Sequence, residues 1–348
     1  MHVVHVVFSL DVGGQERVIL DLAKGAVAHG HRATVISLSA GGTLRERFAG
    51  IPVETVEKAE GFTPGLALRL AARFRALRPD VVHTHNSSPL IYGGPAARAL
   101  RVRRLVHTKH GASDGGRAIR YVSRLADHFV AVSEDTARVA REQEHVPAAK
   151  LRVIPNGIDI RSYDRDAAAR ARVRAELGLD DRAILVGSVG RLVPVKNYGL
   201  LIDAMAPLLG DHVHLAIAGG GEEAEALRAK SDRVHWLGVR HDIPALLSAF
   251  DVFAMSSHTE GLPLAVIEAM ASSLPIACTA VGGLPRVIDS GVTGELVTPG
   301  DAVALRACLD RLVRDPARRA QLGAAARGAA VARFSMDRVV DEYLALYR

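Results

Sequence analysis

Along the chain, short runs of β-branched and other apolar residues alternate with longer stretches whose apolar positions recur every three or four residues. The first pattern predicts buried strands and the second predicts helices with one apolar face. Strand-like runs fall at 3–8, 33–38, 80–84, 105–108 and 128–132. A second series falls at 183–189, 213–218, 233–237, 252–255 and 276–279. Helical patterns between them include 17–29, 66–77, 200–209, 222–231 and 244–250. Uniformly apolar strands separated by helices imply right-handed βαβ units and parallel sheets covered on both faces. The predicted class is α/β.

Each series opens with a strand that runs into glycine, at Gly13-Gly14 and at Gly187 and Gly190. Between them lies Ile154-Pro155-Asn156-Gly157-Ile158-Asp159, a turn-rich stretch followed by a polar helix. Two doubly wound domains of similar size, facing each other across a cleft, are expected, with the boundary near residue 160. A last helix is expected over about 336–347, after an interruption at Phe334-Ser335. The length of 348 residues suits two domains.

Composition narrows the class further. Hydrophobic residues at 49% and charged residues at 24% describe a globular chain, not a disordered one. Two cysteines, Cys278 and Cys308, cannot build a disulfide framework, so a cytoplasmic protein is expected. No apolar run reaches membrane-spanning length, and the N-terminus reads as a first strand, not as a signal peptide. The pI of about 9.6 leaves nucleic acid, anionic membranes and phosphorylated substrates as partners. Aromatics at 4% are too sparse for a base-stacking platform, and no nucleic-acid partner is expected.

The positive charge is concentrated. Residues 1–150 hold 21 Lys/Arg against 14 Asp/Glu, whereas residues 151–348 are close to neutral. Segment 61–124 alone holds 12 basic residues against Asp80 and Asp114. Solvated helix faces account for such a segment, and so does contact with an anionic membrane or an anionic acceptor.

In doubly wound sheets ligands collect at the carboxyl ends of the strands, where helix N-termini offer free N–H groups. Gly13-Gly14 sits at such a place, although it matches neither GxGxxG nor a phosphate-binding P-loop. Arg191 and Lys196 leave the end of a strand together and suit a diphosphate, Arg as a fork and Lys as a point charge. Gly219-Gly220-Gly221 offers either a second backbone approach or a flexible turn. The strongest signal is Glu260-Gly261-Leu262-Pro263-Leu264-Ala265-Val266-Ile267-Glu268. Pro263 fits the first turn of a helix, which puts Glu260 in the preceding loop and Glu268 on the second turn. Carboxylates beside a diphosphate site make sense as hydroxyl binders, and hydroxylated groups flanking a diphosphate describe a nucleotide sugar. The plain alternatives are a tight turn at Gly13-Gly14, a solvated cationic loop at Arg191–Lys196, and a capped helix with Glu268 on its wet face.

Four histidines, His83, His85, His107 and His110, offer a different chemistry, since an HxH pair at a strand end suits zinc in a hydrolase. Packing and hydrogen bonding are the favoured reading of the first three. A non-catalytic nucleotide-sugar-binding protein is the remaining alternative.

The order of these motifs resembles the retaining GT-B glycosyltransferases of the GT4 family. The likeness runs from Gly13-Gly14-Gln15-Glu16-Arg17 through His83-Thr84-His85, His107-Thr108-Lys109-His110-Gly111, Ile154-Pro155-Asn156-Gly157-Ile158-Asp159, Gly190-Arg191 with Lys196-Asn197, Leu237-Gly238 with Asp242-Ile243, Glu260–Glu268 and Gly282-Gly283-Leu284-Pro285 to Gly291-Val292-Thr293-Gly294. It implies two Rossmann-like domains, 1–160 on the acceptor side and 161–334 on the donor side, with helix 335–348 packing back on the first. It implies that Arg191 and Lys196 hold the donor diphosphate, aided by N–H groups near Gly13, Gly14 and Gly261, Leu262, Pro263 and Leu264. Glu268 would then accept from the ribose hydroxyls and Glu260 from the transferred sugar. Arg240 through Ile243 would flank the nucleobase, and His110 would face the sugar. A UDP-sugar is the favoured donor, with GDP-mannose its competitor, and a glycan, lipid-linked or small-molecule acceptor is implied. No metal and no resident cofactor are expected. The cytoplasmic location would include peripheral contact with the inner membrane face through 61–124.

Overall fold

The computed structural model describes residues 1–11, 14–111 and 116–348. Chain contacts divide it into two units, Met1–Gly157 with Met336–Arg348, and Ile158–Ser335.

The first unit is built on a seven-stranded parallel sheet. Its strands are β1 (His2–Val7), β2 (Arg32–Ser37), β3 (Val53–Thr55), β4 (Val81–His85), β5 (Arg104–Lys109), β6 (His128–Ala131) and β7 (Leu151–Val153), in the order β3-β2-β1-β4-β5-β6-β7. The connecting helices are α1 (Gly14–Ala28), α2 (Gly65–Leu77), α3 (Ser87–Ala99), α4 (Arg117–Val122) and α5 (Glu134–Glu142). Every residue of β1 is buried, as its unbroken apolar and histidine run requires for a central strand. The terminal helix Met336–Tyr347 belongs to this unit. Its Val339, Val340, Tyr343, Leu344 and Tyr347 cover Val3, Val81, Val106 and Val130 of the sheet and Val18 and Leu22 of α1. Gly25 permits the approach to α1, because a Cβ there would stand 2.4 Å from a Val340 methyl.

The second unit is built on a six-stranded parallel sheet. Its strands are β8 (Ile184–Val189), β9 (Val213–Ala218), β10 (Val234–Gly238), β11 (Val252–Met255), β12 (Ile276–Thr279) and β13 (Glu295–Val297), in the order β10-β9-β8-β11-β12-β13. Its helices are α6 (Ala167–Glu176), α7 (Tyr198–Met205), α8 (Ala224–Lys230), α9 (Ile243–Ala249), α10 (Leu264–Ala271), α11 (Leu284–Val287), α12 (Ala302–Arg314) and α13 (Pro316–Phe334). Gly187 lies in β8 because Phe250 crosses it, with ring carbons from 2.0 Å of the position a Cβ would take.

The α/β class and both strand series match the expectation from the apolar pattern. Three strands escaped it, Val53–Thr55, Leu151–Val153 and Glu295–Val297. Each is three residues long and lies at a sheet edge. An edge strand that short carries too few apolar positions to establish a period. No helix among the described residues is long and apolar enough to cross a membrane.

Candidate active site

In the second unit, loops leaving the carboxyl ends of β8, β9, β11 and β12 are held against one another by backbone contacts. A Cβ on Gly219 would stand 1.8 Å from the Gly190 carbonyl oxygen, and one on Gly221 would stand 2.3 Å from that of Leu192. Leu192 N–H donates to Gly220 O at 2.9 Å. Gly219-Gly220-Gly221 therefore lets the β9 loop lie flat on the β8 loop, which settles why glycine is required there.

Lys196 ends a short 3-10 turn, Pro194–Lys196, and the following Asn197 is left-handed with φ 48°. The Ser256 hydroxyl donates to Asn197 O at 2.8 Å, and His258 N–H donates to Val195 O at 2.8 Å. These bonds fasten the Lys196 turn to the segment after β11. Lys196 Nζ donates to Glu260 Oε1 at 2.5 Å, and the Ser257 hydroxyl donates to the same oxygen at 2.6 Å. The Lys196 and Glu260 side chains are only 18% and 9% exposed. Glu260 is itself seated by the loop after β12. Gly282 has φ +53°, a Cβ on it would stand 1.6 Å from Glu260 O, and Gly283 N–H donates to Gly261 O at 3.0 Å.

Helix α10 begins at Leu264, with Pro263 as its cap residue, one position earlier than the first-turn place expected for that proline. Glu268 falls on the second turn as expected. It is buried, and the buried Tyr163 hydroxyl donates to its Oε1 at 2.7 Å. Tyr163 was not singled out in the sequence. Its only signal is a lone aromatic in a polar turn, and its partner lies 105 residues away.

The remaining residues expected to bind the donor differ in how they are engaged. Arg191 is exposed, and its guanidinium makes no ion pair among the described residues. Arg240 is fully engaged, bonding Asp242 through two nitrogens at 2.8 Å and Glu176 at 2.6 Å. These carboxylates raise the Arg240 pKa, and their bonds to it lower those of Asp242 and Glu176. Ile243 opens α9, and its side chain packs on the core. Gly261 has open space where a Cβ would go. Gly14 is the first residue of α1, and Gly13 lies outside the described residues.

In the first unit the four histidines of the zinc alternative do not all gather: His85 Nδ1 lies 3.1 Å from His110 Nε2, but His107 stands apart. His107 faces away from His83 and His85, bonded to Thr84 Oγ1 at 3.0 Å and packed on Phe129. Strand alternation is the cause, since His107 pairs with Thr84 and Thr108 pairs with His85. His5 of β1 joins His83 and His85 instead, with ligand atoms within 4.8 Å of one another. Both His83 nitrogens are already engaged, Nδ1 with the Tyr347 hydroxyl at 2.7 Å and Nε2 with Thr108 Oγ1 at 2.8 Å. Burial holds these rings neutral, lowering His5 to about 4 and His107 to about 3, with His83 and His85 well below the ordinary value.

His110 stands just past the end of β5, half-buried, with its backbone N–H donating to Asn86 Oδ1 at 2.9 Å. Desolvation lowers its pKa to about 3. Beside it is a hollow of about 390 Å³ lined by Phe8, Asn86, Ser87, Ser88, Pro89, Lys109 and Gly111. The basic segment is less positive in space than in sequence. Lys109 is buried against Glu144 at 2.7 Å, Arg73 pairs with Glu54 at 2.6 Å, and Arg98 pairs with Asp127 at 2.7 Å.

Comparison with known proteins gives this geometry a family. The family model described as Glycosyltransferase Family 4 matches residues 12–162, and that described as Glycosyl transferases group 1 matches 169–329. A GDP-mannose-dependent alpha-(1-6)-phosphatidylinositol monomannoside mannosyltransferase of Mycolicibacterium smegmatis is 34% identical over 269 residues, covering 69% of each chain. A D-inositol 3-phosphate glycosyltransferase of Salinispora tropica is 31% identical over 358 residues, covering 91% of this chain and 72% of its own. Among solved structures, Anabaena Alr3699/HepE in complex with UDP superposes with a TM-score of 0.87 at 25% identity, covering 99% of both chains. The paired βαβ sheets, the two consecutive family matches and these relatives make the chain a member of glycosyltransferase family 4, an enzyme of the GT-B type.

Proposed function

We propose that this enzyme transfers a hexose or N-acetylhexosamine, with retention of configuration, from a nucleoside diphosphate sugar to a glycan, lipid-linked or small-molecule acceptor. The observation that carries the reading is the Lys196–Glu260 pair, a cation and a carboxylate fixed together by Ser257 and backed by Gly282. A donor would divide that pair by chemistry. Its diphosphate takes the Lys196 ammonium, with Arg191 as the second cation, and its sugar hydroxyls take the Glu260 carboxylate. Glu268, held by Tyr163, accepts from the ribose, and the first-turn N–H groups of α10 near Gly261–Leu264 face the phosphates. The backbone of Arg240–Ile243 flanks the base, and His110 contacts the sugar. Gly14 at the start of α1 offers a further N–H.

In the reaction, the bond from the anomeric carbon to the diphosphate oxygen breaks and the acceptor oxygen takes its place. Negative charge grows on the leaving diphosphate, and stabilising it is the main electrostatic task. Lys196, Arg191 and the α10 terminus suit that task, so the reading calls on no metal or resident cofactor. A UDP-sugar is the favoured donor, supported by the UDP complex of the Anabaena relative, with GDP-mannose supported by the mycobacterial one. Thermal stabilisation by UDP- and GDP-sugars, followed by donor hydrolysis without acceptor, tests the proposal. Absence of stabilisation and turnover with every nucleotide sugar refutes it.

For the acceptor, we propose an anionic molecule presented at an anionic membrane surface. Segment 61–124 exposes Phe62, Leu68 and Tyr121 among its arginines, a combination that suits a lipid interface. Both relatives named above act on acceptors containing inositol and phosphate groups, according to their names. Co-sedimentation with anionic vesicles at low salt is expected, and its absence removes the membrane reading.

A further inference from the structure

Both hydrogen bonds to the Glu260 carboxylate arrive on the same oxygen. Lys196 Nζ donates to Oε1 at 2.5 Å, and the Ser257 hydroxyl donates to Oε1 at 2.6 Å. The other oxygen, Oε2, has no hydrogen-bond partner among the described residues. Nor is it one of their enclosed unpartnered atoms, so it stays open to a ligand. Lys196, Ser257 and Glu260 all belong to the second unit, and their geometry depends on that unit alone.

The two donors on Oε1 are not equivalent. Lys196 reaches it at the end of a flexible stem, and the diphosphate of a bound donor competes for the same ammonium. Ser257 is short, 1% exposed and tied down through its backbone. The buried Thr279 hydroxyl of β12 donates to Ser257 O at 2.7 Å. Its neighbours on either side bind the Lys196 turn, the Ser256 hydroxyl through Asn197 O at 2.8 Å and His258 N–H through Val195 O at 2.8 Å. Ser257 is thereby fixed to the sheet and to that turn at once. The Glu260 main chain is seated separately, by the close approach of Gly282 to its carbonyl oxygen. With the main chain fixed at one end and Oε1 at the other, the side chain has little freedom left, and Oε2 keeps one direction. The ordering that a sugar would otherwise impose on this glutamate is already in place.

We propose that Ser257 is a positioning residue for the donor sugar: it holds one Glu260 oxygen while the diphosphate draws on Lys196, and so keeps Oε2 presented to the sugar hydroxyls. The inference rests on the donor reading given above. It adds to that reading the oxygen that meets the sugar and the residue that keeps it there once the ammonium is shared.

Ser257→Ala in the full chain removes the hydroxyl and leaves every cation in place. Two quantities are compared: kcat/KM for acceptor-independent donor hydrolysis, and affinity for the same nucleoside diphosphate without its sugar, by titration calorimetry. The pair is a UDP-sugar with UDP, or GDP-mannose with GDP, according to which donor the wild-type enzyme hydrolyses. Loss of a hydrogen bond to a charged group should lower kcat/KM on the order of tenfold. Affinity for the bare diphosphate should change by no more than about twofold, because the sugar contact is absent from it. A merely structural role would lower both by the same factor, since Lys196 stands on the same joined loops, and that result overturns the proposal. So does a kcat/KM within twofold of wild type. Ser257→Cys, which keeps the shape but offers only a weak S–H donor, is expected to fall between serine and alanine. If Ser257→Ala does not fold, Ser257→Cys decides by the same comparison. Wild-type turnover in Glu260→Ala, or hydrolysis of no nucleotide sugar by the wild-type enzyme, would instead remove the donor reading itself.

Discussion

Lys196→Ala separates the structural part of the Lys196–Glu260 pair from the catalytic part proposed for it. At 2.5 Å, with side chains 18% and 9% exposed, the ammonium is the main counter-charge of a largely enclosed carboxylate. Breaking a fully buried pair typically costs 3–5 kcal/mol; the partial exposure here and the remaining Ser257 bond bring the expectation to about 2 kcal/mol. For a unit of this size that corresponds to a Tm lower by roughly 4–8 °C. The rate effect has a separate origin. Losing a cation aimed at the developing phosphate charge costs on the order of 3 kcal/mol of transition-state stabilisation, roughly a hundredfold in kcat. The double variant Lys196→Ala with Glu260→Gln removes the stranded charge, so its stability is expected to recover while its rate does not. The assay is acceptor-independent donor hydrolysis followed beside a thermal melt. Turnover of Lys196→Ala within twofold of wild type refutes the assignment, whatever the melt shows.

Other outcomes follow from the same geometry. Tyr163→Phe removes a hydrogen bond to a buried carboxylate and should cost about 1.5–3 kcal/mol in denaturant unfolding, with weaker nucleotide binding by titration calorimetry. Unchanged affinity would separate Tyr163 from the proposed ribose contact. Gly282→Ala forces a Cβ into Glu260 O and should lower activity at least tenfold, whereas Gly261→Ala meets no atom within 4 Å and should fold with wild-type stability. Acidification should unfold the first unit. His5 and His107 bind protons at lower pH when folded than the ordinary 6.5, so the unfolded chain takes up more protons. Their contribution is complete above about 6.5 and is lost as pH falls toward about 4 and 3, at about 1.4 kcal/mol per pH unit for each ring. Melts between pH 7 and 5 check this, and His107→Gln should reduce the slope by one proton.

Most of the fold was legible because parallel strands buried on both faces are largely apolar, as Val252–Met255 is throughout. The motifs of the second unit were legible one at a time, since each is a compact run with its own chemistry. Their joining was not. Lys196 and Glu260 lie 64 residues apart, and nothing in either motif says that one side chain neutralises the other. His5 reads as an ordinary position in an apolar strand until the register of β1 on β4 sets it beside His83 and within reach of His85. A charge count along 61–124 likewise overstates the surface, because Glu54, Asp127 and Glu144 lie outside that window and return to Arg73, Arg98 and Lys109 in space.

The terminal helix has a consequence for how the protein is made. A ribosome releases the first unit's sheet early, yet the cover of Val3, Val81, Val106 and Val130, begun by Val18, Leu22 and Ala26 of α1, stays incomplete until Met336–Tyr347 emerges. Tyr347 and Tyr343 also close the hydrogen bonds of His83 and Thr108, so two buried polar groups wait for the same helix. The second unit, Ile158–Ser335, is by then fully synthesised and has everything its own core needs. Synthesis and completion therefore run in opposite order: the half made second is finished first, and the half made first stays open along one apolar face for the whole of elongation.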